Sequence, residues 1–123
     1  MHFLLDTHVL LWWLDHSPEL KDKWTCVIQD RRNTCFVSAA TIWEIGIKCR
    51  LGKLTIADEY IDVIRAQGFL ELPVSWAHAR AVKDLPDYHR DPFDRILVAQ
   101  AKAESLVLLS HDSVLEKYGI AVV

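Results

Sequence analysis

Asp91-Pro92-Phe93-Asp94 sets two carboxylates three residues apart ahead of an apolar run, Ile96-Leu97-Val98-Ala99 with Ala101. On a helix that spacing projects both from one face near the first turn. Asp91 suits the N-cap, and Pro92 suits the first helical position, where a missing N–H costs nothing. Taken alone this is a capping arrangement and needs no chemistry. Asp6, Glu44 and Asp112 change the reading. Asp6 and Asp112 each follow a short apolar stretch, and Glu44 lies in an apolar segment of helical period. Two carboxylates about 4 Å apart repel by about 4 kcal/mol at an effective dielectric near 20. Three or four meeting in a small domain therefore require protons or a cation. None of them has a His or Cys partner at metal-ligand spacing, and oxygen donors alone select a hard ion, Mg²⁺ or Mn²⁺. Such ions activate water and stabilise the leaving oxygen in phosphodiester cleavage.

The elements that must position these groups alternate. Residues 2–5 read as a strand ending at Asp6, and Thr7 can cap a helix over 9–14. Ser17-Pro18-Glu19 reads as the start of a second helix reaching about residue 30. Residues 35–37 read as a second strand, and Ser38 caps a helix through Glu44 and Lys48 that Gly52 closes. Thr55-Ile56-Ala57-Asp58 reads as a helix start with a capping-box pattern, and Gly68 as that helix's end. Residues 69–72 form a third expected strand, and Ser75 opens a helix to about residue 85. The acidic helix from Pro92 feeds a fourth, fully apolar strand over 106–109. Ser110-His111-Asp112 opens a short helix to Tyr118, and residues 120–123 read as a terminal strand. Strands alternating with helices predict one α/β domain over 1–123, a three-layer α/β/α arrangement around a parallel sheet of about five strands. Asp6 and Asp112 then lie at strand carboxyl ends, where open α/β sheets bind ligands.

Composition narrows the classes. A length of 123 residues, 51% hydrophobic and 25% charged, fits one globular domain with a real core. The net charge of −3 gives no basic signature of a pure nucleic-acid-binding module, although clustered acidic ligands would mask a basic rim. Three cysteines, Cys26, Cys35 and Cys49, lack C-x-x-C spacing and are expected as buried thiols in a reducing compartment. The apolar stretch 3–14 is interrupted by Asp6 and His8 and falls short of the ~20 residues of a membrane span. The expected location is cytoplasmic.

Leu4-Leu5-Asp6-Thr7-His8, the run 37–45 with Trp43-Glu44-Ile45, the run 89–101 with Asp91-Pro92-Phe93-Asp94-Arg95, and Ser110-His111-Asp112 resemble the PIN-domain ribonucleases, more specifically the VapC-type toxins of bacterial toxin–antitoxin pairs. The resemblance spans almost the whole chain. It implies that Asp6, Glu44, Asp94 and Asp112 are the catalytic acids and metal ligands, with Asp91 in a capping or supporting role. It also implies Mg²⁺-dependent endonucleolytic cleavage of RNA (Mn²⁺ as substitute), a homodimer, and an inhibitory VapB-like antitoxin partner.

Each position also has a plainer role. Asp6 and Asp112 can be simple helix caps, and Glu44 a surface partner of Lys48 four residues on, a pairing worth ~0.2–0.5 kcal/mol. Thr7 and Ser110 beside the acids can orient carboxylates or only cap. Arg90, Arg95 and Lys48 are candidates for a rim that holds the RNA backbone. His8, His89 and His111 sit next to acids, as histidines at helix starts often do, and are not assigned to catalysis. A His-Asp phosphohydrolase would need further His ligands on an all-helical scaffold. A phosphoacceptor domain would need an acidic pair after the first strand, where Thr7 and His8 stand. A catalytically silent α/β domain that binds RNA or a partner protein is the remaining alternative, and the full acidic set speaks against it.

Overall fold

Phe3, Leu4 and Leu5 are consecutive and all buried, which a strand permits only when both faces of its sheet are covered. A computed structural model describes residues 1–123 and shows this arrangement. The sheet contains β1 (His2–Leu5), β2 (Thr34–Ser38), β3 (Leu70–Leu72) and β4 (Val107–Leu109), all parallel, in the order β3-β2-β1-β4. Side chains alternate between faces. Phe3 and Leu5 join Val9, Leu10, Trp24, Ile45, Ile64, Phe69 and Leu109 in one core, while Leu4 joins Leu97, Val98, Ala101, Leu108 and Leu115 in the other. These two cores are the two seams of the three expected layers.

Six α-helices cover the sheet: α1 (Thr7–Leu14), α2 (Asp22–Gln29), α3 (Ala39–Arg50), α4 (Tyr60–Ala66), α5 (Trp76–Ala81) and α6 (Pro92–Glu104). A 3₁₀ turn, Val82–Asp84, extends α5, and a second, Ser113–Tyr118, follows β4. Ser38, Ser75 and Asp91 cap α3, α5 and α6 as their residue types predict, with Gly52, Gly68 and Gly119 in the left-handed conformation.

Four expectations need correction. The sheet has four full strands, not about five: after the turn at Gly119 residues 121–123 do run parallel beside β4, with Leu108 N–H donating to Ala121 O, Val123 N–H to Leu108 O and Ser110 N–H to Val123 O, but they form one bridge, Leu108 to Val122, rather than a strand. Ser17-Pro18-Glu19 makes only a turn, with the Glu19 N–H donating to Ser17 Oγ; α2 begins at Asp22, in the register that buries Trp24 completely. Thr55 to Asp58 do not open a helix, since Leu54 and Ile56 both turn to the core with exposed residues alternating between them, a two-residue period. Finally, only Cys35 is a buried thiol; Cys26 is exposed and Cys49 half-buried.

Candidate metal centre

Because β1 lies between β2 and β4, the carboxyl ends of these three strands open on one crevice. Asp6 follows β1 directly. Its backbone N–H donates to Leu109 O at 3.0 Å, so the β1–β4 ladder itself fixes its place. Asp6, rather than Thr7, is the N-cap of α1: Oδ1 accepts from Val9 N at 2.8 Å, while Oδ2 accepts from Ser110 Oγ at 2.6 Å. The side chain is almost wholly buried. Burial pushes its pKa up from the ordinary carboxylate value, and the Ser110 and Val9 hydrogen bonds, with the charges of His8 and His111, offset part of that rise.

Glu44 stands on α3 and is also buried. Thr7 Oγ1 donates to Glu44 Oε1 at 2.6 Å, with Thr41 Oγ1 3.3 Å from Thr7, and Lys48 Nζ pairs with Oε2 at 3.0 Å. The i,i+4 ion pair of the sequence therefore exists, on the wall of the crevice instead of open surface. Thr7 and Ser110 both orient carboxylates. Ser110 Oγ also accepts from Asp112 N at 3.1 Å, joining the first acid to the last.

The start of α6 divides its labour between two carboxylates. Asp91 Oδ1 accepts from Phe93 N and Asp94 N at 2.8 and 3.2 Å and so caps the helix. The Asp91 N–H donates to His89 Nδ1 at 3.0 Å, taking the place of the reciprocal bond that Asp94 would make in a capping box. Asp94 is thereby free to face the crevice. Its pKa rises to about 6, through burial first and then the charge of Asp91, with Asp6 and Glu44 adding to the rise and His89 opposing it. His89 Nε2 lies 3.0 Å from Asp112 Oδ2 and 3.3 Å from Asp94 Oδ2. Since Nδ1 accepts from the Asp91 N–H, Nε2 is the ring nitrogen turned toward both acids. Asp112 also caps the turn after β4 through Val114 N.

Ser110 therefore links Asp6 to Asp112, His89 links Asp112 to Asp94, and Thr7 beside Asp6 holds Glu44, with Lys48 paired to Glu44 and Asp91 capping α6. Lys48 is the one Lys or Arg side chain paired with any of the four. Oxygen donors of this number and charge fit a hard divalent ion. Two further points depart from the sequence reading. Arg95 does not stand on a rim: Nη1 donates to Pro86 O and Nη2 to Val82 O and Leu85 O at 2.8, 3.1 and 3.0 Å, so its fork is spent on the carbonyls of the turn after α5. Arg90 is exposed, as a rim cation must be. In addition, the donors near Asp6 are not all oxygen. His8 and His111 each bring a ring nitrogen close to its carboxylate, a meeting made by the β1–β4 pairing and invisible in linear spacing. His89 was missed as a bridge for a similar reason; its place two residues before the Asp91 cap was the only signal.

Comparison with known proteins gives the same architecture. The chain superposes over 100% of its length, and 98% of the other, on VapBC2 from Rickettsia felis solved bound to a promoter DNA fragment, with a TM-score of 0.73 at 13% identity. DNA-bound VapBC from Salmonella typhimurium gives 0.69 at 16% identity, covering 100% of this chain and 97% of that one. FitAcB from Neisseria gonorrhoeae gives 0.61 at 22% identity, covering 99% and 96%. No curated protein sequence matches the chain. The family model of the PIN domain matches residues 3–121, a span that contains every acid of the crevice, and the chain belongs to the PIN domain family.

Proposed function

We propose that this protein is a metal-dependent endoribonuclease acting as the toxin of a toxin–antitoxin pair in the cytoplasm. The observation that carries this reading is the hydrogen-bonded chain that ties Asp6 through Ser110 to Asp112 and Asp112 through His89 to Asp94, with Glu44 held by Thr7 next to Asp6. These carboxylates would hold Mg²⁺, with Mn²⁺ as substitute. A divalent ion there supplies the Lewis acidity that activates water and stabilises the leaving oxygen of a phosphodiester. The chain's own residues do the rest. Ser110 and Thr7 lock one oxygen each of Asp6 and Glu44, and His89 Nε2 holds Asp94 and Asp112 toward each other. Exposed Arg90 and half-exposed Lys48 would hold phosphates of an RNA backbone.

The reading of partners is supported by the similar VapBC and FitAcB assemblies. An apolar groove lined by Leu11, Trp12, Leu14, Ile56, Tyr60 and Val63 suits an amphipathic segment of a VapB-like antitoxin. Trp24, fully buried, takes no part in it. A second apolar depression, with Trp43, Val74, Phe93 and Ile96, suits a second copy of the chain, and Trp43 is 66% exposed there. No helix is long and apolar enough to cross a membrane.

The test is cleavage of a mixed pool of structured and single-stranded RNA. Cutting in Mg²⁺ that stops in chelator and is lost in Asp94→Asn is the expected result. Cutting by Asp94→Asn equal to wild type, or cutting untouched by chelator, would contradict it.

A further inference from the structure

We propose that Asp6, His8 and His111 form a distinct site for a borderline divalent ion such as Zn²⁺, Co²⁺ or Ni²⁺, sharing the Asp6 carboxylate with the acidic crevice. One ligand atom from each residue lies within 4.8 Å of the other two. His111 Nδ1 is 3.7 Å from Asp6 Oδ2, and the two imidazoles stand edge to face with centroids 4.9 Å apart. The residues come from the first turn of α1 and the segment after β4, so the strand pairing brings them together.

Trp12 holds the pair in place. Its ring lies 5.9 Å from His8 and 5.3 Å from His111, and its other side stacks on buried Trp24 at 5.8 Å. Both imidazoles are exposed, which leaves their nitrogens accessible to an ion. Tetrahedral Zn²⁺ with bonds of ~2.0–2.2 Å needs ligand atoms about 3.4 Å apart, a contraction that modest rotation of two surface rings supplies. Two imidazoles and one carboxylate favour Zn²⁺, Co²⁺ or Ni²⁺ over Mg²⁺, whose preference is oxygen. Three protein ligands leave a fourth position open to water. The chain thus presents two donor sets that meet at Asp6: carboxylates toward α6 for a hard ion, and imidazoles toward α1 for a softer one.

The site is tested without RNA, so the result is independent of the nuclease reading. Chelator-stripped full-length protein is titrated with Zn²⁺ against a chromophoric chelator, for wild type, His8→Ala, His111→Ala and Asp94→Asn. With the acidic crevice kept filled by excess Mg²⁺, one Zn²⁺ is expected, weakened by about tenfold or more in each His variant and unchanged within about threefold in Asp94→Asn. Circular dichroism checks that the surface His variants stay folded. Paramagnetic Co²⁺ added to the same protein should broaden the imidazole NMR signals of His8 and His111 before those of His89. Zn²⁺ binding that survives both His variants, or that Asp94→Asn loses equally, would overturn the site. Thiolate absorption on adding Co²⁺ would overturn it too, by pointing to exposed Cys26.

Discussion

Asp94 is where charge is least comfortable, and it sets the pH response. Its pKa near 6 exceeds the ordinary 3.8, so between those values the folded chain holds a proton that the unfolded chain has lost. The folded state then binds more protons, and stability falls as pH rises through that window. Asp6, raised by burial, acts with the same sign. In chelator, thermal melts of wild type and Asp94→Asn should therefore differ more at pH 7 than at pH 5. The variant is expected to be more stable at pH 7, by on the order of 1–2 kcal/mol. Equal differences at both pH values would count against it. A cation competes with the same proton, so Mg²⁺ affinity should drop below about pH 6. Ser110→Ala removes the hydroxyl that fixes Asp6 Oδ2 and should weaken metal binding by about tenfold with the fold intact, read by calorimetry. Asp6→Asn should abolish cleavage while leaving the circular dichroism spectrum unchanged.

At the scale of elements, the segment between α5 and α6 decides whether the acids are gathered. Arg95 ties the carbonyls of Val82, Leu85 and Pro86 to α6, and its Nη1 also reaches His89 O at 3.3 Å. This holds the loop that carries His89 over Asp94 and Asp112. Arg95→Lys keeps the charge but cannot reproduce the forked donation, and should cost about 1.5–3 kcal/mol in urea unfolding. Unchanged stability would show that the loop is held otherwise. The capped start of α6 was legible from Asp91 and Pro92 because capping is chemistry within a few residues. Arg95 was misread as a rim cation because its partners are backbone carbonyls, which any sequence supplies. Ser17-Pro18-Glu19 and Thr55 to Asp58 look like helix starts by the same local rules. There, burial of Trp24, Leu54 and Ile56 prevails over a cap's contribution.

At the scale of the molecule, the sheet order does the gathering. Setting β1 between β2 and β4 brings Asp6 beside Ser110 and near Asp112, and α3 follows β2 to present Glu44. Alternating apolar runs made the parallel sheet legible, and the position of Asp6 and Asp112 after two of those runs made their crevice legible. The terminal segment was legible in part: residues 121–123 do pair with β4, but the turn at Gly119 leaves one bridge at Val122 instead of a full strand. The His8–His111 meeting was hidden: it is a pure product of strand pairing across 103 positions of chain. Four site carboxylates outweigh the whole net charge of −3, so the acidity of the chain is concentrated in that crevice. The apolar depression at Trp43 predicts a dimer by sedimentation that Trp43→Glu converts to monomer; a monomeric wild type would remove that face from the assembly.

The most direct test of the central claim needs no knowledge of the RNA target. Mn²⁺ binding to chelator-stripped protein, followed by electron paramagnetic resonance at pH 7.5, should show saturable uptake in wild type. Asp94→Asn and Asp6→Asn should each weaken it by about tenfold or more. Wild-type affinity retained in both variants would mean that the converging carboxylates are not a metal centre.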